Sequence, residues 1–427
     1  MIHLRSSARA GMQPRAVSAT STSSTGANKR PNQHTTLLAA AGASFHHNFH
    51  NRKNFASASA GSKPYKVGIL GASGAVGTRF VSMLEHHPWF DIIALGGGPN
   101  EVGHLYRDVA DKVYNACLDP KGIPPQYSEK KLLHPDPAEW KALGVNLVFS
   151  AVPDHVAKVA EYAFAEVGIP CFSNSPENRM GEKIPLLQPY VNPEHMMMAK
   201  TQDSFAKSEG FVATNPNCST IAMTVGLKPL VDKFGIEHVN ATTLQAISGS
   251  GFPGLSHAEM YDNCVPYIGN EEEKMEEEAA KILGSFDGSK LNFTDIKVSA
   301  ICNRVPVSNG HMICVSVKLK NKPANLVEEC NKAFDAFTVP EKVKNCPSCP
   351  EKPIRLFTQE TRPDRPQHRL DRDYFGGMGV NVGRVRPCHI NDVKFTILGH
   401  NTVIGAAGGS ILNAELAVNE GLIKKSG

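Results

Sequence analysis

The run Lys66-Val-Gly-Ile-Leu-Gly71 and the segment after it, Ala72-Ser73-Gly74-Ala75-Val76-Gly77, most restrict what this chain can fold into. A short apolar run ending in glycine reads as a buried parallel strand. Gly77 to Glu85 then carries apolar residues at helical spacing. A strand, a glycine turn and a helix in that order open a βαβ unit. The glycines permit a tight turn and let backbone N–H groups approach a pyrophosphate at the helix start. The spacing is GxxGxxG rather than the commoner GxGxxG, so the turn alone is a weak signal, with a glycine-rich turn without a ligand as the alternative. Its place between strand and helix favours a dinucleotide. Further strand-like runs at Phe90 to Leu95 and Val145 to Ser150 alternate with a helical stretch from His155 to Val167. Such alternation predicts a doubly wound parallel sheet.

The patterning changes after about residue 215. Longer strands are expected at 240–247, 296–302 and 311–319, with an acidic helix near 270–283. These predict an α+β domain with a mixed or antiparallel sheet. The proline-rich stretch 339–372 reads as a long surface excursion. The small-residue segment from Gly405 to Ala417 leads into a helix expected to pack back on the first domain. The expected organisation is a leader at 1–62, a first domain at 63–216 completed by 399–427, and a second domain at 217–398.

The leader distorts the bulk charge. Formal net charge is +4, but residues 1–60 hold seven Lys/Arg and no Asp or Glu. The remainder has 38 basic against 41 acidic residues, so the charge excludes no function through polyanion binding and predicts no nucleic-acid partner. An Arg-rich, Ser-rich, acid-free leader reads as an organellar transit peptide, plastid before mitochondrion. If it is only a tail, the expectation becomes cytoplasmic. No run of eighteen apolar residues predicts a membrane span. Ten scattered cysteines without a secretory signal argue against a disulfide framework. Cys346-Pro-Ser-Cys349 lacks a partner pair for zinc, so no metal is expected. It reads as ordinary thiols, with a reversible disulfide as the alternative.

Two segments carry chemistry. In Thr214-Asn-Pro-Asn-Cys218-Ser-Thr, Cys218 falls at the start of an apolar helical run that extends to about Phe234. The helix field there favours thiolate, and the free N–H groups can receive an oxyanion. A thiolate nucleophile wants a base. His311, after Gly310 and before a strand, is the candidate, whereas His195 in Asn192-Pro-Glu-His reads as a surface residue at a helix start. The end of the second strand usually separates NAD from NADP. Here Gly96-Gly-Gly-Pro-Asn-Glu101 puts no carboxylate directly at the strand end, and no Arg or Ser either, so the residues leave that choice open.

Together with GASGAVG, the segments SNSPENR (173–179), VNPEH (191–195), NPNCST (215–220), QAISGSG (245–251), RVPVSNGH (304–311), RLDRD (369–373) and GHNTVIGAAGGSILNAEL (399–416) resemble the aspartate-semialdehyde dehydrogenases of the archaeal and fungal branch. The resemblance covers about 64–424. It implies a Rossmann domain plus a catalytic and dimerisation domain, NADP as cofactor, and a homodimer or homotetramer. It also implies reductive dephosphorylation of 4-aspartyl phosphate to aspartate 4-semialdehyde, in the biosynthesis of Lys, Met, Thr and Ile. Carried over by position, Cys218 is the nucleophile, His311 the acid–base residue and Gln245 the residue that orients the acyl group. Arg304 grips the substrate carboxylate and Asn217 orients substrate. Arg179 and Lys274 hold phosphate, and Glu271 takes the amino group; i and i+3 share a helix face, which favours this pair in a glutamate-rich segment. The implied cofactor contacts are Gly71, Ala72, Ser73, Gly74, Ala75, Val76, Gly77, Ser150, Ala151, Ser248, Gly249, Asn401 and Thr402. The GGGPNE loop departs from the family's Ser/Arg-bearing loop, so NADP preference is inherited from the resemblance. Rival readings are a related thioester-forming reductase, acting on N-acetyl-glutamyl phosphate or malonyl-CoA, and a non-enzymatic NADP-binding sensor.

Overall fold

The computed structural model describes residues 63–116, 122–360 and 362–425. The leader and Cys117 lie outside them. The first strand, β1 (Tyr65–Leu70), has five of six residues buried. It turns at Gly71, whose φ of +74° favours glycine, into α1 (Ala75–Leu84). Next come β2 (Phe90–Gly96), β3 (Leu147–Ser150), α2 (Asp154–Glu166), β4 (Cys171–Ser173) and β5 (Val212–Thr214). The five strands are all parallel, in the order β2-β1-β3-β4-β5. Apolar residues fill both faces, which is why these strands read as continuous hydrophobic runs. The order reverses between β1 and β3, so the crevice beyond their C-terminal ends is where a ligand is expected.

The chain then enters α3 (Cys218–Phe234), apolar nearly all round and buried along most of its length. It runs into β6 (Ile236–Gln245), and the acidic helix follows as α4 (Glu271–Ile282). Beyond a two-stranded ribbon of Ser285–Phe286 and Leu291–Asn292, the later strands are β7 (Lys297–Arg304), β8 (His311–Leu319), β9 (Ile354–Phe357), β10 (Val380–Pro387) and β11 (Val393–Gly399). They join β6 in the order β9-β10-β11-β8-β6-β7. This sheet is mixed: its inner pairs are antiparallel, and the outermost pair on each side is parallel. β6 and β8 alternate between buried and more exposed residues, and α3 packs against the sheet. The last helix, α5 (Gly408–Asn419), packs on β4 of the first sheet.

Two expectations need correction. The stretch 339–372 is not only a surface excursion. It contributes edge strand β9 and the buried Asp371, whose carboxylate receives Arg355 and Arg365. His195 is fully buried, not on the surface. Asn192 Nδ2 reaches its Nδ1 at 2.9 Å, and Asn192 also closes the turn onto Leu186 O and Gln188 N.

The registers across the mixed sheet position the site. Gly399, His311, Gln245 and Arg304 stand opposite one another on β11, β8, β6 and β7. Directly opposed residues share a sheet face. One row therefore delivers an imidazole, an amide and a guanidinium to one end of the sheet.

Candidate active site

Cys218 is the first residue of α3. Asn217 caps the helix: its Oδ1 accepts from Ser219 N at 2.9 Å and Thr220 N at 3.2 Å. Its Nδ2 donates to Glu271 Oε1, and its backbone N donates to Glu278 Oε2, both at 2.6 Å. Two carboxylates of α4 thus fix the residue before the thiol. The expected thiolate is not the resting form. Burial, then the Glu271 carboxylate, pushes the thiol up to about 12, against the opposing pull of Arg304, Arg179 and the Ser219 N–H. The helix field points the right way but is outweighed.

Across the cleft, Arg304 Nη1 donates to Ala246 O at 2.7 Å, and Ala246 N donates to His311 Nδ1 at 3.0 Å. That bond makes Nδ1 the acceptor, so the neutral ring carries its proton on Nε2. Burial, then Arg304, lowers the His311 pKa to about 3, so the ring is neutral at ordinary pH. His311 Nε2 is buried without a partner. Gly249 lies over both groups. A Cβ there would sit 2.6 Å from Arg304 Nη1 and 3.1 Å from His311 Nε2. Gln245 Nε2 donates to Thr243 Oγ1 at 3.3 Å, while its Oε1 has no partner.

Arg179 is buried, donating Nη1 to Glu278 Oε1 at 2.8 Å and Nη2 to Asn174 O at 2.9 Å. Its Nε has no partner. Lys281, fully buried on α4, donates to the carbonyls of Arg179, Gly181 and Ile184 at 2.7 to 2.8 Å and pins this loop. The acidic helix sorts its glutamates by face. Glu271 and Lys274 line the cleft; Glu272 and Glu276 instead accept from the backbone N of Cys302 and Ala300 on β7. Glu273 and Glu277 are exposed.

The glycine turn is tightly built. A Cβ on Gly71 would lie 2.8 Å from Ala151 O, and one on Gly77 would lie 2.0 Å from Gly71 O, whereas Gly74 has room. The turn therefore leaves a cradle at the start of α1, whose first-turn N–H groups lack partners within the helix. Ala72 is fully buried beneath it, and Ala75 and Val76 line the cleft. Opposite, Ser248, Gly249, Asn401 and Thr402 also line it. Asn401 ties this wall together, donating Nδ2 to Ser248 Oγ at 2.9 Å and accepting from Gly310 N at 2.8 Å. Ser150 departs from expectation. It lies on a strand buried on both faces, is itself fully buried and does not line the cleft; its carbonyl accepts from Asn174 N. No carboxylate stands at the end of β2 itself, as read from the sequence, but one returns from further along. The turn after β2 folds back and places the Glu101 carboxylate 2.9 Å from Ser73 Oγ.

One cleft of about 550 Å³ runs from Ala75 and Val76 on α1 to Cys218 and Arg304, and Arg179, Asn217, Glu271 and Lys274 also border it. Asn309 Oδ1, also on its wall, is another buried acceptor without a partner. A more open hollow of similar size between Tyr190 and Lys344 carries no nucleophile. Among the described residues, no group of His, Cys, Asp or Glu is arranged to hold a metal. Sequence reading missed Glu278, Lys281, Asn309 and the return of Glu101. The first two lie on the acidic helix, where an i, i+7 or i+10 step from Glu271 was the available signal. The thiols of Cys346 and Cys349 are both free, and burial followed by Glu415 raises the pKa of each.

Comparison with known proteins agrees with the geometry. The family model for the semialdehyde dehydrogenase NAD-binding domain matches residues 66–199, and that for the semialdehyde dehydrogenase dimerisation domain matches 227–404. The aspartate-semialdehyde dehydrogenase of Archaeoglobus fulgidus is 43% identical over 359 residues, spanning 84% of this chain and 99% of the relative. The crystal structure of the Candida albicans enzyme with NADP superposes with a TM-score of 0.76 at 39% identity, covering 84% of this chain and all of that one. The Vibrio cholerae enzyme II complexed with ASA gives 0.64 at 26% identity, covering 84% and 99%. With both halves of the chain matched and the relatives spanned almost end to end, the chain belongs to the aspartate-semialdehyde dehydrogenase family.

Proposed function

We propose that this chain is an NADP-dependent, phosphorylating aspartate-semialdehyde dehydrogenase. In the biosynthetic direction it converts 4-aspartyl phosphate to aspartate 4-semialdehyde and phosphate through a thioester on Cys218, in the formation of Lys, Met, Thr and Ile. The observation that carries this reading is the convergence of buried, unpartnered polar atoms in the site: Gln245 Oε1, His311 Nε2, Arg179 Nε and Asn309 Oδ1. Buried polar atoms are nearly always satisfied, so such a cluster calls for a polar ligand. The glycine cradle and the first turn of α1 fit a cofactor pyrophosphate, with Ser248, Gly249, Asn401 and Thr402 on the facing wall.

Cys218 Sγ attacks the acyl carbon, its thiol proton passing to the departing phosphate, and the C–O bond to phosphate breaks with its electron pair leaving on phosphate. Arg179 and Lys274 hold that anion; the Lys274 ammonium makes no ion pair among the described residues. Arg304 grips the α-carboxylate in a bidentate manner that lysine cannot match. Glu271 takes the ammonium, and Asn217 and Gln245 orient the bound acyl group. A bound NADPH supplies the hydride. His311 presents Nε2–H to the carbonyl oxygen and stabilises the negative charge that develops there; as that charge returns to form the aldehyde carbonyl, the C–S bond breaks and its electron pair goes back to Cys218 Sγ, which regains a proton from solvent.

The substrate is a small molecule. Assembly is as a homodimer or homotetramer through the open face of the six-stranded sheet, which leaves Ile301 56% exposed. The cofactor side comprises 63–216 with 399–427, and the catalytic side 217–398. Residues 1–62 direct the chain to an organelle, plastid before mitochondrion. Among the described residues, no helix is long and apolar enough to cross a membrane.

The test is a phosphate-dependent assay of NADP reduction with aspartate semialdehyde, run beside a direct cofactor titration. Cys218→Ala is expected to abolish turnover and leave cofactor binding in place. Turnover of malonyl-CoA or N-acetyl-glutamyl phosphate, with none of aspartate semialdehyde, overturns the assignment.

A further inference from the structure

The turn after β2 holds a group that the proposed reaction does not use. Glu101 lies five residues past the strand end at Gly96, yet its carboxylate returns to the glycine loop. Both oxygens lie 2.9 Å from Ser73 Oγ, and Oε2 also accepts from Gly98 N at 2.9 Å. The return is built into the strand end. A Cβ on Gly97 would stand 3.1 Å from the Glu101 Cβ and 3.1 Å from the Leu132 Cβ, so this packing needs the missing side chain. Both of these donors, the Ser73 hydroxyl and the Gly98 N–H, are neutral groups. The nearest arginine in sequence, Arg107, is engaged with Asp108 and Glu129.

Physical chemistry gives this position a meaning. In sheets of this type, a carboxylate beyond the second strand accepts a hydrogen bond from the adenosine ribose 2′-hydroxyl, whereas a 2′-phosphate needs a cation. Two carboxylate oxygens offer about four acceptor sites, and Ser73 and Gly98 leave room for a further donor. A 2′-phosphate placed against Glu101 would meet like charge.

We propose that Glu101 is the residue that sets selectivity at the adenosine 2′ position, and that it lets this chain take NAD on nearly equal terms with NADP. The proposal rests on the reading of the Gly71–Gly77 turn as the cofactor site, and is independent of the substrate.

The experiment is calorimetric titration of the full chain with NADP⁺ and NAD⁺, and with 2′,5′-ADP and 5′-AMP as probes of the 2′ group alone. Wild-type protein is expected to give a ratio of Kd(NAD⁺) to Kd(NADP⁺) below about ten. Glu101→Gln, which keeps the shape and removes the charge, is expected to raise that ratio at least about tenfold, and the ratio for the two probes likewise. Glu101→Ser is expected to move it in the same direction, and Ser73→Ala, which leaves the charge in place, much less. A wild-type ratio above about ten, or a smaller response to both Glu101 substitutions, overturns the proposal. If neither dinucleotide binds the wild type, the cofactor-site reading itself fails. Normal binding with an unmoved ratio removes only the role given to Glu101.

Discussion

At the sulfur of Cys218, local geometry and burial oppose each other. The helix start, Arg304, Arg179 and the Ser219 N–H all favour thiolate; burial and Glu271 win and hold the thiol up to about 12. Alkylation of the ligand-free protein by iodoacetamide should therefore speed up about tenfold per pH unit from pH 6 to 9, without a plateau. A plateau near pH 7 in the inactivation rate would contradict this. Glu271→Gln should raise the rate at every pH in that range. The same residues show where sequence reading runs out. Cys218 and His311 announce themselves through turns beside regular elements, whereas Arg304 is reached through the family resemblance. The charge state of Cys218 does not, because it depends on a carboxylate more than fifty residues away. Glu101 shows the same limit: its carboxylate meets Ser73 only because the turn after β2 folds back.

Among elements, α4 does two jobs. One face presents Glu271 and Lys274 to the cleft, while Glu278 and Lys281 brace what lies behind it. Lys281 satisfies three carbonyls of the Arg179–Ile184 loop at once. Lys281→Met should cost about 2–4 kcal/mol in urea unfolding, because the carbonyls lose their donors. It should also raise KM for phosphate more than it lowers kcat, since Arg179 loses its support. The pH dependence has a definite sign. Burial lowers the Lys281 pKa from 10.5 to about 8, so between those values the unfolded chain binds the proton more tightly than the folded one. The contribution of this group to stability therefore rises with pH across that window, and the rise should vanish in Lys281→Met. The acidic helix was legible as an element from its composition. The division of its glutamates among cleft, strand and brace was not, because that depends on what each face meets.

For the whole molecule, the doubly wound sheet was readable because its strands are buried on both faces, and the second sheet because its strands alternate. The edge strand β9 was hidden in a proline-rich stretch whose pairing partner, β10, is set by tertiary contact. The two ends of the described chain are joined through Glu415 on α5. This fully buried carboxylate receives His87, which follows α1, and the backbone and hydroxyl of Ser348. Glu415→Ala leaves these groups unsatisfied and should lower stability by about 3–5 kcal/mol, read as a fall in the urea midpoint at constant slope. The leader predicts its own outcome: protein isolated from cells should begin between residues 45 and 62, and an intact Met1 would count against import.

The row of Gly399, His311, Gln245 and Arg304 has a consequence for how this molecule fails. Because side chains alternate along a strand, a slip of one residue in β6 or β8 turns a member of the row to the opposite face. A mispaired sheet therefore yields a silent enzyme rather than a sluggish one. Specific activity in a refolded batch then counts the molecules whose strands found their correct partners, and loss of yield appears as dead fraction with an unchanged Michaelis constant.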